Sequence, residues 1–77
     1  MTPRTYWQTY VEQHGGPVGT AARLGIPYST IASICNGRRG IGHRLAARMA
    51  EADPALDAAT LVWVRALRLD AFAAEAA

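Results

Sequence analysis

The sequence predicts an all-α fold built from five helices in one small domain. Apolar residues recur at helical spacing, and proline, glycine and Asn-Gly pairs punctuate the chain at helix-length intervals. No stretch alternates apolar and polar residues as a half-buried strand would. With 77 residues there is room for one core and no second, and a hydrophobic content of 51% is enough to fill it.

Each element has a local reason. Thr2-Pro3 starts the first helix, a capping hydroxyl followed by proline in the first turn. Trp7, Tyr10, Val11 and His14 share one of its faces, and Gly15-Gly16 stops it. Pro17 opens a second helix that runs to Leu24, and Gly25 ends it where φ > 0 costs least. The third starts near Pro27 or Tyr28 and stops at Asn36-Gly37. A fourth covers about His43 to Ala52, burying Leu45 and Met49, until Asp53-Pro54. Asp57 caps a long last helix through about Ala74, within a C-terminal unit placed at about 57–75.

The most informative segment is PVGTAARLGIPYSTIASICNG, residues 17–37, followed by Arg38-Arg39. Ala21 is small enough for two helices to touch. Gly25 makes the turn, and Leu24, Ile31 and Ile34 fall where the two helices would pack. A small residue, a turn glycine and an apolar residue at these offsets mark a helix-turn-helix, whose second helix usually enters the major groove of DNA.

The charge distribution agrees. Net charge is only +2, and all basic residues are arginine. From Gln13 to Ala50 there is no acid, yet Arg23, Arg38, Arg39, Arg44 and Arg48 lie there with His14 and His43. Such separation of signs suits a phosphate-binding surface.

At about 100° per residue, Ile31, Ile34 and Cys35 of the third helix point inward. Ser29, Ser33 and Asn36 point outward, with Ala32 beside them and Tyr28 and Thr30 on the flanks. Tyr28, Ser29, Thr30 and Ser33 are therefore the expected base-reading residues. None carries an arginine or glutamine fork, so short or water-bridged contacts and DNA shape must supply specificity. Asn36, Gly37, Arg38, Arg39, His43 and Arg44 are the expected phosphate contacts, on a glycine-flanked loop and the start of the next helix.

The pattern resembles the lambda-repressor-like, Cro/CI-type helix-turn-helix proteins. More closely, HGGPVGTAARLGIPYSTIASICNGRRG looks like the short YdaS-type Cro-like regulators encoded by prophages. The resemblance covers about His14 to Met49 and rests on Gly15-Gly16, Ala21, Leu24-Gly25, Ile31, Ile34 and Asn36-Gly37-Arg38-Arg39. It implies a five-helix domain with its second helix across the DNA backbone, its third in the major groove, and Asn36 to Arg39 on phosphates. It further implies a transcriptional regulator, commonly a repressor that binds a two-fold operator as a dimer. Two positions depart from the family: Thr20 stands where leucine is usual, and Pro27 replaces the usual capping serine or threonine.

On a helical wheel, Val62, Ala66, Leu69 and Ala73 form one apolar stripe of the last helix, and Trp63, Leu67 and Ala74 a second. A helix apolar nearly all round is buried on more than one side. One face would cover the core and the other a second copy, with Trp63, Leu67 and Phe72 as anchors of a homodimer.

Several classes are set aside. Cys35 is the only cysteine, so no internal disulfide forms and zinc is not expected; His14 and His43 lack companions at ligand spacing. No nucleophile–base set or carboxylate pair argues for an enzyme, and no cofactor is expected. No membrane span is expected, and the location fits the cytoplasm, at the nucleoid. The leading expectation is a DNA-binding repressor of phage, mobile-element or stress-module genes. The alternatives are the antitoxin of a toxin–antitoxin pair, binding its toxin or a phage protein through the last helix, and a protein-interaction module without DNA binding.

Overall fold

In the computed structural model, residues 2–67 are described, and among them five helices and no strand are found. They are α1 (Pro3–Gln13), α2 (Gly16–Leu24), α3 (Tyr28–Cys35), α4 (His43–Ala52) and α5 (Ala58–Leu61). None is long and apolar enough to cross a membrane.

The helix ends follow local chemistry. Thr2 Oγ1 accepts the Thr5 amide at 3.1 Å and caps α1, with Pro3 in the first turn. Gly25 ends α2 at φ 65, and the Ile26 amide reaches back to the Ala21 carbonyl at 3.1 Å. That bond turns the chain and drops Ile26 into the core, 4% exposed. α3 starts at Tyr28 after Pro27, which supplies no side-chain cap. It closes with Gly37 at φ 82, where the Gly37 amide bonds Ile34 O at 3.2 Å and the Arg38 amide bonds Ser33 O at 2.9 Å. This double bond pattern is the Schellman motif.

α2 packs on α1, α3 and α4, while α5 packs on α4 and α1. Trp7, Ile31, Ile34, Ala46, Met49 and Leu61 are fully buried at the centre. Each buried side chain as large as Ile or Met contributes roughly 1.5–3 kcal/mol by leaving water. On α4 the inward residues are Ala46 and Met49, and Leu45 is only half-buried. The expected burial of Leu45 is thus shared with Ala46. Gly19 lies inside α2 because an added Cβ would collide with the His14 carbonyl oxygen, where α1 ends.

The last helix departs from the sequence expectation. Asp57 caps it as expected, accepting the Ala59 amide at 3.2 Å and the Thr60 hydroxyl at 2.6 Å. It then stops at Leu61 rather than running to Ala74. The Trp63 and Val64 amides tighten onto Thr60 O and Leu61 O, a 3₁₀-like closing turn. Beyond it the chain runs antiparallel to the loop after α3. The Ile41 amide donates to Val64 O and the Leu67 amide to Gly37 O, both at 2.8 Å. Val64 is 1% exposed and Ile41 3%, so burying this pair outweighs extending a helix through the β-branched Val62 and Val64. The wheel that paired Trp63 with Leu67 on one helical face does not apply to residues 62–67. Phe72 and the rest of the proposed stripe lie outside the described residues.

Candidate nucleic-acid interface

The outward side of α3 is small and polar, as its sequence requires. Ile31 and Ile34 are fully buried and Cys35 is half-buried, which turns Ser29 and Asn36 out to solvent. Tyr28 is 55% exposed at the first position of the helix, while Thr30 and Ser33 are half-buried. The four expected base-reading residues therefore sit together on one helix of two turns. Burial pushes the Cys35 thiol up, against smaller opposing effects of Trp7 and the Arg4 charge.

Asn36 Oδ1 accepts the Arg38 amide at 3.2 Å, and the Arg38 and Arg39 amides both point at Ser33 O. The backbone of the arginine pair is thereby held, while both side chains remain exposed. The loop from Gly37 to Gly42 is held against the C-terminal segment. Gly37 is buried under Leu67, and Gly40 lies so close to Val64, Arg65 and Ala66 that a Cβ would meet their backbone at 2.7–3.0 Å. His43 and Arg44 follow on the exposed first turn of α4, whose N-cap Gly42 offers no side-chain partner.

The arginines of the acid-free stretch divide into two groups. Arg23 is engaged: its Nε donates to Asp53 Oδ2 at 2.9 Å and to the Tyr10 hydroxyl at 3.2 Å. Tyr10 in turn donates to the same Asp53 oxygen at 2.6 Å, and the Ala55 amide to Oδ1 at 3.1 Å. Hydrogen bonds from Tyr10 and Arg23 hold the Asp53 carboxyl down from 3.8 to about 2. Burial, then the hydrogen bond to Asp53, pushes the Tyr10 phenol up from 10.0 to about 12. Arg48 donates to the Gly25 carbonyl at 3.2 Å, beside the turn between α2 and α3. By contrast, among the described residues the guanidinium groups of Arg38, Arg39 and Arg44 have no hydrogen-bond or ion-pair partner within the chain.

Two arginines outside that stretch were not singled out from the sequence. Arg4 spans two elements, donating to Ile34 O at 3.3 Å and Arg65 O at 2.8 Å. Arg65 lays its guanidinium over the Trp63 ring, 5.3 Å from the centroid. No sequence spacing connects Arg4 to Ile34 or Arg65, whereas the Arg65–Trp63 contact is local, between positions two apart.

Of the expected dimer anchors, Trp63 is 62% and Leu67 45% exposed. They are separated by the buried Val64 and do not line a helical stripe. Among the described residues no three His, Cys, Asp or Glu side chains come together as a metal site. Set against family models, curated proteins and solved structures, the chain has no match in any of the three.

Proposed function

We propose that this chain is a sequence-specific double-stranded-DNA-binding regulator of the lambda-repressor-like helix-turn-helix type, acting as a repressor. In this reading α2 lies across the sugar-phosphate backbone and α3 enters the major groove. Tyr28, Ser29, Thr30 and Ser33 meet base edges, while Asn36, Gly37, Arg38, Arg39, His43 and Arg44 hold phosphates.

One observation carries the reading. Arg38 and Arg39, directly after α3, and Arg44, on the first turn of α4, stand exposed and, among the described residues, without a hydrogen-bond or ion-pair partner. A guanidinium exposed in this way breaks no hydrogen bond with the described residues when a phosphate arrives. Polyanion binding through such groups releases counterions, so its signature is a steep salt dependence. In a fluorescence-anisotropy titration against duplex DNA, replacing Arg38 and Arg39 by alanine should lower the slope of log K against log[salt] by about 1.8, two phosphate contacts. Binding that persists with an unchanged slope rules out these side chains as the clamp. No binding by the unaltered protein to any duplex at low ionic strength rules out the regulator itself.

A homodimer on a two-fold operator belongs to the same proposal. Its support is the exposed Trp63 and Leu67 rather than a helical stripe. Sedimentation that finds only monomer at micromolar concentration, with and without operator DNA, removes it.

A further inference from the structure

We infer that Arg65 is an additional phosphate-binding residue, held beside the Arg38-Arg39 loop by Trp63 and by the docked C-terminal segment. The inference rests on the DNA-binding reading above and extends its surface to a part of the chain distant in sequence.

The backbone around Arg65 is fixed on every side. Val64 O takes the Ile41 amide, Arg65 O takes an Arg4 guanidinium N–H, and the Leu67 amide binds Gly37 O, the three bonds all at 2.8 Å. Gly40, the residue after the arginine pair, lets the Arg65 backbone approach so closely that a Cβ there would lie 3.0 Å from Arg65 Cα. The Arg65 side chain is nevertheless exposed, and among the described residues its guanidinium has no hydrogen-bond partner. It rests on the Trp63 ring instead, a contact that restricts the side chain without consuming its donors.

Arg65 and His43 line a shared groove of about 530 Å³, floored by Gly40, Val62 and Ala66. Among the described residues no carboxylate lines it, and the Arg65 guanidinium makes its chemistry suit an anion. One wall is Gly40 to Gly42, the end of the loop that also carries Arg38 and Arg39. A planar guanidinium with free donors, preorganised on an aromatic face, matches a phosphodiester oxygen pair. The occupant is therefore the sugar-phosphate backbone of the same duplex, next to the phosphates taken by the arginine pair. Trp63 becomes a positioning residue for this contact.

The test is a salt titration of duplex binding by the full chain and by Arg65→Ala and Arg65→Lys, with sedimentation of each protein. Arg65→Ala should weaken binding to operator and unrelated duplex by the same factor and lower the salt slope by about 0.9, one phosphate. Arg65→Lys should restore the slope, since it keeps the charge. If the unaltered protein binds and Arg65→Ala has the same slope, the Arg65 assignment is overturned while DNA binding stands. If Arg65→Lys behaves as Arg65→Ala, charge is not the operative property and the assignment again falls. A slope loss that coincides with a change in oligomeric state places Arg65 at a self-contact and overturns it. Absence of all binding by the unaltered protein overturns both proposals together.

Discussion

The Tyr10 hydroxyl donates to Asp53 Oδ2 at 2.6 Å, joining the middle of α1 to the residue that ends α4. With Arg23 on the same oxygen, a buried carboxylate is satisfied by two donors from two other helices. Asp53 is 6% exposed, and removing either donor would leave Oδ2 with a single side-chain hydrogen bond in a buried place.

The network sets the limits of stability in pH. The Asp53 carboxyl is depressed from 3.8 to about 2, so its contribution is complete above 3.8 and disappears as pH falls through about 2. Tyr10 is raised from 10.0 to about 12, so its contribution is complete below 10.0 and disappears as pH climbs through about 12. Thermal melts across pH should show a plateau with an acid and an alkaline limb. Asp53→Asn should flatten the acid limb, and a limb of unaltered steepness would assign it to other carboxylates. Tyr10→Phe should cost about 1 kcal/mol, a Tm drop of about 4–8 °C in a domain of this size.

Gly40 and Gly42 stand two positions apart and should respond oppositely to alanine. A Cβ on Gly40 meets Val64 O at 2.7 Å and Ala66 N at 3.0 Å, all backbone, whereas one on Gly42 meets nothing within 4 Å. Gly40→Ala should cost about 1–3 kcal/mol and speed hydrogen exchange at the Ile41 and Leu67 amides. Gly42→Ala should stay within about 0.5 kcal/mol of the parent. Equal effects would mean that the C-terminal segment does not press on the loop in solution.

Thr20 is fully buried and, among the described residues, its hydroxyl has no partner, a polar atom placed where α2 packs against the core. Thr20→Val keeps the shape and removes the unsatisfied oxygen, and should raise stability by about 1 kcal/mol. A loss in chemical denaturation would show that the hydroxyl finds a partner, such as a water.

Ser33, like Thr30, is a half-buried member of the expected base contacts on α3. Ser33→Ala should change the preferred sequence in a binding-site selection at one position of each half-site, leaving affinity for unrelated DNA unaltered. An unchanged preference would limit readout to Tyr28, Ser29 and Thr30 or to DNA shape.

The bounds of the first four helices were readable because their signals are local. Thr2-Pro3, Gly15-Gly16, Gly25, Asn36-Gly37 and Asp53-Pro54 act through neighbouring backbone dihedrals, and α4 spans His43–Ala52 as those signals require. The inward positions of α3 follow from its 3.6-residue period for the same reason. The last helix was misread because a wheel scores apolar positions without knowing their destination. Val62, Trp63 and Val64 satisfy the wheel, yet Gly37 and Gly40 offer a backbone surface to which that segment docks. One clue was available: two glycines close to the arginine pair leave room for another chain segment. Gly19, a costly residue inside a helix, gave a similar clue to the close approach of α1 and α2. The Arg23–Asp53–Tyr10 network and the Arg4 bridge join positions with no shared periodicity, so only the folded chain brings them together.

The clamp on the loop after α3 comes from Val64 and Leu67, which leave the ribosome after that loop. While α1 to α4 have already emerged, the Gly37 carbonyl and Ile41 amide still lack their counterparts, and Ile41 has no cover. The loop that carries Arg38 and Arg39 is therefore secured only once residues 64–67 have emerged, so a nascent polypeptide stalled before Val64 should carry these guanidinium groups on an unsecured loop.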